Sequence, residues 1–152
     1  FGKLTEWVME RHAFWGPMLV ILLFWSPYIL AKFPGAAMPE TLAEMRQYYW
    51  NTINNYYPPL HTVLLSLVME LGNVLWSYTF GFFLNLAVQL ALLLSAFSCG
   101  FVFMKRWRTP YRLRWLALMI ISVVQFFPME ATIVEKDVPY TACVIFLVLQ
   151  LY

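Results

Sequence analysis

Residues 79–104 carry no charged side chain, and no other feature limits the fold of this chain as strongly. A helix crossing the hydrocarbon of a bilayer needs about 20 mostly apolar residues. The run is long enough to cross with some tilt. Three further apolar runs, at 13–31, 115–134 and 138–152, suggest the same use. Pro17 and Pro27 lie inside the first, where they can bend a helix. Pro128 and Glu130 interrupt the third near its far end.

Composition points the same way. Of 152 residues, 62% are hydrophobic and 12% charged, with a mean hydropathy of +0.66. An ordinary globular domain is about half apolar and about a quarter charged. Too little charge remains for a disordered chain or a coiled coil. Cys99 and Cys143 are too few for a disulfide scaffold, and in apolar surroundings they read as buried, inert thiols. A net charge of +2, with no basic patch carrying base-stacking aromatics, gives no reason to expect nucleic acid as a partner.

The expected fold is therefore all-α: a polytopic transmembrane bundle of about four spans forming one module over 1–152. Membrane-surface helices are expected in a first outer loop, 32–78. Residues 60–78 form an amphipathic segment started by Pro58 and Pro59, with Ser66, Glu70, Asn73 and Ser77 on one side. Leu60, Leu64, Leu67 and Leu71 lie on the other, and the segment is expected to lie in the interface rather than cross. Lys105, Arg106, Arg108, Arg112 and Arg114, with no acid among them, mark 105–114 as a cytoplasmic loop. That places the N-terminus in the cytoplasm and the chain in the cell membrane as a multi-pass protein.

Chemistry is sought in the outer loop. Pro39 opens a helix with Glu40 in its first turn, favoured by the helix dipole. Glu40, Glu44, Gln47 and Asn51 share one face, and Leu42, Met45, Tyr49 and Ile53 roughly another. A solvated face explains Glu40 and Glu44 without any chemistry, and an interfacial hydrogen bond explains His61. The paired tyrosines at 48–49 and 56–57 suit an aromatic belt. With His12 and His61 the only histidines, no metal-ligand motif is present. A phosphate-cradling glycine loop and a Gly-x-Ser-x-Gly are also missing. Glu135, Lys136 and Asp137 form a second polar patch, where Asp137 can cap a helix.

Taken in order, FPGAAMPETLAE (33–44), NNYYPPLHTVLL (54–65) and FPMEATIVEKDVPYTACVIFLVL (127–149) resemble the start of bacterial GT-C-fold integral-membrane glycosyltransferases. The resemblance is to a multi-pass branch related to protein mannosyltransferases and lipid A aminoarabinose transferases. Phe33-Pro34-Gly35 matches its opening, and Glu40-Thr41 stands where an acid and a Ser or Thr are usual. Tyr57 replaces a histidine ahead of Pro58-Pro59-Leu60-His61-Thr62, Glu44 replaces a glutamine, and Lys136-Asp137 matches directly.

The resemblance implies transfer of a sugar from a polyprenyl-phosphate donor to an acceptor lipid, glycan or protein at the outer face of the membrane. It implies Glu40 as general base, with Asp137 orienting the acceptor or a neighbouring group. Lys136 and His61 would face the lipid phosphate, and Glu44 and Tyr57 the bound substrate. A divalent cation between outer-loop acids is an option in such enzymes. The bilayer, the lipid-linked sugar and the remainder of a longer chain would be the partners, since a GT-C core needs more spans; 152 residues then form its N-terminal part, inactive alone. Two further classes fit the composition: a transporter or flippase for a lipid-linked substrate, and a non-enzymatic membrane subunit.

Overall fold

The computed structural model describes residues 5–52, 54 and 56–151. Ile53 and Tyr152, at the ends of two expected helices, lie outside them, as does Asn55 of the second matched motif. The described chain forms eight helices. They are a π-helical turn, α1 (Trp7–Arg11), followed by α2 (Trp15–Ala31), α3 (Pro39–Tyr49), α4 (Pro59–Leu75) and α5 (Tyr78–Arg106). The last three are α6 (Tyr111–Val123), α7 (Phe126–Ala131) and α8 (Asp137–Leu151).

Local chemistry explains most of the boundaries. Proline opens α3 and α4, where its missing N–H costs nothing. Ser77 caps α5 by accepting from the Phe80 amide at 3.2 Å. At the far end of α5, Arg108 takes a left-handed conformation (φ 53°). The Arg108 amide then donates to Lys105 and the Thr109 amide to Met104, both at 3.0 Å, the paired bonds of a Schellman ending. Asn51 ends α3 in the same way, with φ 53° and the Thr52 amide on the Gln47 carbonyl at 2.9 Å.

The four-span membrane bundle is not what this chain forms. Among the described residues one helix, α5, is long and apolar enough to cross a membrane, by length and composition alone. At 1.5 Å per residue, the 17 residues of α2 extend about 26 Å, short of a hydrocarbon core of about 30 Å. The run at 115–134 is not one helix. The Pro128 ring would clash with the carbonyl four residues back, and the helix stops at that residue, Val124, which is extended (ψ 115°). Pro27 stays inside α2, where the Leu23 carbonyl freed by it accepts from the Ser26 hydroxyl at 2.8 Å.

α5 is the central helix, packed against α2, α4 and α8; 44% of its most apolar stretch is buried inside the molecule. The core joins Ile21 and Trp25 of α2, Leu86, Leu90 and Leu94 of α5, Leu118 of α6 and Ala142 of α8. Trp25 is fully buried and satisfies its indole N–H on the Ile121 carbonyl at 3.1 Å. The α4–α5 pair closes on two glycines. A Cβ on Gly72 would collide with the Gly81 backbone, and one on Gly81 would sit 2.6 Å from the Met69 carbonyl oxygen. This close approach decides which face of α4 is covered. Thr62, Leu65, Ser66, Met69 and Gly72 are buried, while the ridge of Leu60, Leu64, Leu67, Leu71 and Val74 is exposed.

Two of the five basic side chains of 105–114 are bound to the N-terminal turn. Arg114, with its side chain only 8% exposed, pairs with Glu10 at 2.5 Å and donates to the Met9 carbonyl at 3.2 Å. Lys105 donates to the Glu10 carbonyl. With one span-length helix, the multi-pass cell-membrane placement and the cytoplasmic N-terminus lose their basis. The cysteines also differ from expectation: Cys99 is half-buried and Cys143 exposed.

Candidate functional site

The site begins with one irregular segment. Residues 131–134 are held from two sides. From α5, Gln89 donates to the Ala131 and Ile133 carbonyls at 3.0 and 2.5 Å. From the chain before α3, Ala36 and Ile133 form a parallel bridge, with the Ala36 amide on the Thr132 carbonyl (3.0 Å) and the Val134 amide on the Ala36 carbonyl (2.9 Å). The buried Thr41 hydroxyl adds a bond to the Val134 carbonyl at 2.6 Å. Gly35 makes this approach possible: its φ is +135°, and a Cβ there would press on the Phe82 ring at 3.0 Å. The first turn of α3 is thereby set against residues 134–137.

Two polar pairs result. Lys136 binds the Glu40 carboxylate at 2.6 Å and stands over the Tyr57 ring, 5.2 Å from its centroid, within cation–π range. The hydrogen bond to Glu40 raises the Lys136 ammonium above its ordinary pKa against an opposing desolvation. One turn further along α3, Glu44 is bonded to His61 Nδ1 of α4 at 2.6 Å. The Glu44 side chain is 2% exposed and that of His61 20%. A buried carboxylate receiving the Nδ1 proton fixes the orientation of the ring. In the neutral imidazole, Nε2 is then the acceptor. His61 lines a cavity of about 240 Å³ with Leu65, Asn85, Val88, Gln89 and Val134.

Of the residues singled out in sequence, Glu40, Lys136 and Tyr57 come together, and Glu44 and His61 form the adjacent pair. Asp137 does not join either pair. It opens α8 and lines a different cavity, with Glu130 and Glu135. Asn85 and Gln89, four residues apart in an uncharged run, were not anticipated. Their signal was present in that spacing: amides buried in an apolar helix must find partners. Asn85 donates to the Leu65 carbonyl at 3.2 Å. Among the described residues, no group of three or more His, Cys, Asp or Glu side chains could hold a metal ion. Glu40 and Glu44 are each paired with another side chain, Lys136 and His61 respectively.

No protein-family model, no curated protein and no solved structure matches the chain. The resemblance to GT-C glycosyltransferases is corrected on both grounds, since neither a multi-span scaffold nor a family match supports it. The glycosyltransferase activity falls with it. So do the transporter and membrane-subunit alternatives, and the bilayer and lipid-linked sugar as partners, all of which rested on a polytopic architecture. What remains is an all-helical chain whose polar side chains gather around one bridged segment.

Proposed function

We propose that this chain binds a compact, largely apolar molecule in the cavity between α4 and α5, and that a hydroxyl of the ligand donates to His61 Nε2. The supporting observation is the 2.6 Å bond from His61 Nδ1 to a Glu44 carboxylate that is 2% exposed. In the neutral imidazole it leaves Nε2 as an oriented acceptor, beside the amides of Asn85 and Gln89, on a cavity wall otherwise made mainly of aliphatic side chains. Small-molecule sites combine such apolar walls with a few placed polar groups. At about 240 Å³ the cavity suits a one-ring compound or a short chain. Glu44 acts here as a positioning residue, and the Glu40–Lys136 pair holds α3 over the site.

Calorimetry with p-cresol and p-xylene, which share shape and differ in the hydroxyl, tests this reading. p-Cresol is expected to bind about tenfold or more tightly, the difference a single buried hydrogen bond makes. In His61→Phe the preference disappears while p-xylene still binds, which reports an intact cavity. Equal affinity for the two compounds in the unmodified protein, or binding of neither, contradicts the reading.

A further inference from the structure

On the other side of the bridged segment, a second cavity of about 280 Å³ lies between α5, α7 and the start of α8. Its walls include the rings of Phe97, Phe126 and Phe127 and the carboxyl-bearing residues Glu130, Glu135 and Asp137. We propose that this cavity binds an organic ammonium ion, its charge spread over alkyl groups in contact with the rings.

Three observations support this ligand class. The rings form a connected set: Phe97 and Phe127 meet edge to face (6.4 Å, 90°), and Phe126 meets Phe127 in the same manner (6.0 Å, 74°). Rings placed this way offer both faces and edges, and aromatic faces attract cations, most strongly where water is excluded. Second, among the described residues no cation pairs with Glu130, Glu135 or Asp137. Lys136, beside two of them in sequence, is drawn away to Glu40, and Lys32 ends on the Met129 carbonyl at 3.3 Å. The attraction of Lys136 reaches Glu135 but is outweighed there by desolvation and by the neighbouring acids, so the cavity rim keeps a net negative character. Desolvation, then repulsion from Asp137 and Glu40, raises the Glu135 carboxyl above its ordinary range against an opposing attraction from Lys136. Third, the acids do not form a group able to hold a metal ion. Carboxylates too dispersed for a point charge suit a bulky cation, which needs no inner-sphere ligands.

The proposal is independent of the His61 reading, because it uses a different cavity and different side chains. The test is a titration of the full chain with choline chloride and with 3,3-dimethylbutan-1-ol, its uncharged isostere, followed by aromatic ¹H–¹³C NMR at constant ionic strength. Choline is expected to produce saturable shifts at Phe97, Phe126 and Phe127, with the isostere about tenfold weaker or more. Glu135→Gln is expected to weaken choline about fivefold, and Phe127→Leu to weaken it by a similar factor. Glu130→Gln serves as a second charge variant on an exposed side chain, should Phe127→Leu disturb folding. Equal binding of the isostere overturns the proposal, as does reproduction of the shifts by sodium or magnesium chloride. Choline affinity unchanged in both charge variants overturns it as well.

Discussion

Single residues carry the chemistry that is easiest to probe. Arg108 occupies a left-handed backbone position at the end of α5, a conformation that costs a residue with a Cβ about 1 kcal/mol and glycine almost nothing. Arg108→Gly is therefore expected to raise unfolding stability by up to about 1 kcal/mol in chemical denaturation, with no change in the helical circular dichroism signal. Glu135 gives a pH signature. Its carboxyl is raised in the folded chain by desolvation, so ionising it costs more folded than unfolded. Its contribution to stability is full below the ordinary value of 4.5 and is lost as pH rises through the raised folded value. Glu135→Gln should accordingly stabilise the protein at pH 7 and make little difference at pH 4. Lys136 has the same sign at the other end of the scale: its support is complete at neutral pH and lost only as pH rises through its raised value. An exposed pair of this kind is worth roughly 0–1 kcal/mol.

At the scale of elements, α4 and α5 define the molecule's centre, and the Gly72–Gly81 contact sets their separation. A methyl group at Gly81 meets backbone atoms of Met69 rather than a flexible side chain, so it cannot be accommodated by a rotamer change. Overpacking costs typically about 1–3 kcal/mol, and Gly81→Ala should fall at the upper end of that range by urea denaturation. Because α4 carries His61 and α5 carries Gln89, the same change should also weaken p-cresol binding. A stability unchanged by Gly81→Ala would show that the helices can separate freely. Helix starts were legible where proline opens α3 and α4, and Pro128 marked a break in the third apolar run; Ser77, read as part of the amphipathic segment, instead caps α5. The covered face of α4 was not legible. Periodicity separates a leucine side from a polar side, but the close glycine contact selects the side with small residues and leaves the leucines outside.

For the whole molecule, hydrophobicity alone was a misleading guide. The 62% hydrophobic content suggested four membrane spans, yet α2, α4 and α6 end after 13 to 17 residues, because local breaks at prolines and turns set length independently of composition. Part of the charge pattern has a structural role that the sequence does not display: Lys105 and Arg114 meet Glu10, about a hundred residues away. The candidate site was legible as a set of residue types but not as an arrangement. Glu40 and Lys136 are joined across 96 positions by a bridge between Ala36 and Ile133 that leaves no sequence pattern. The most direct measurement on the central claim is ¹⁵N NMR of the His61 ring in its neutral form, without and with p-cresol. A protonated Nδ1 and an unprotonated Nε2 whose resonance moves on p-cresol binding is the predicted result. An Nε2–H tautomer, or an Nε2 resonance indifferent to p-cresol, would contradict it.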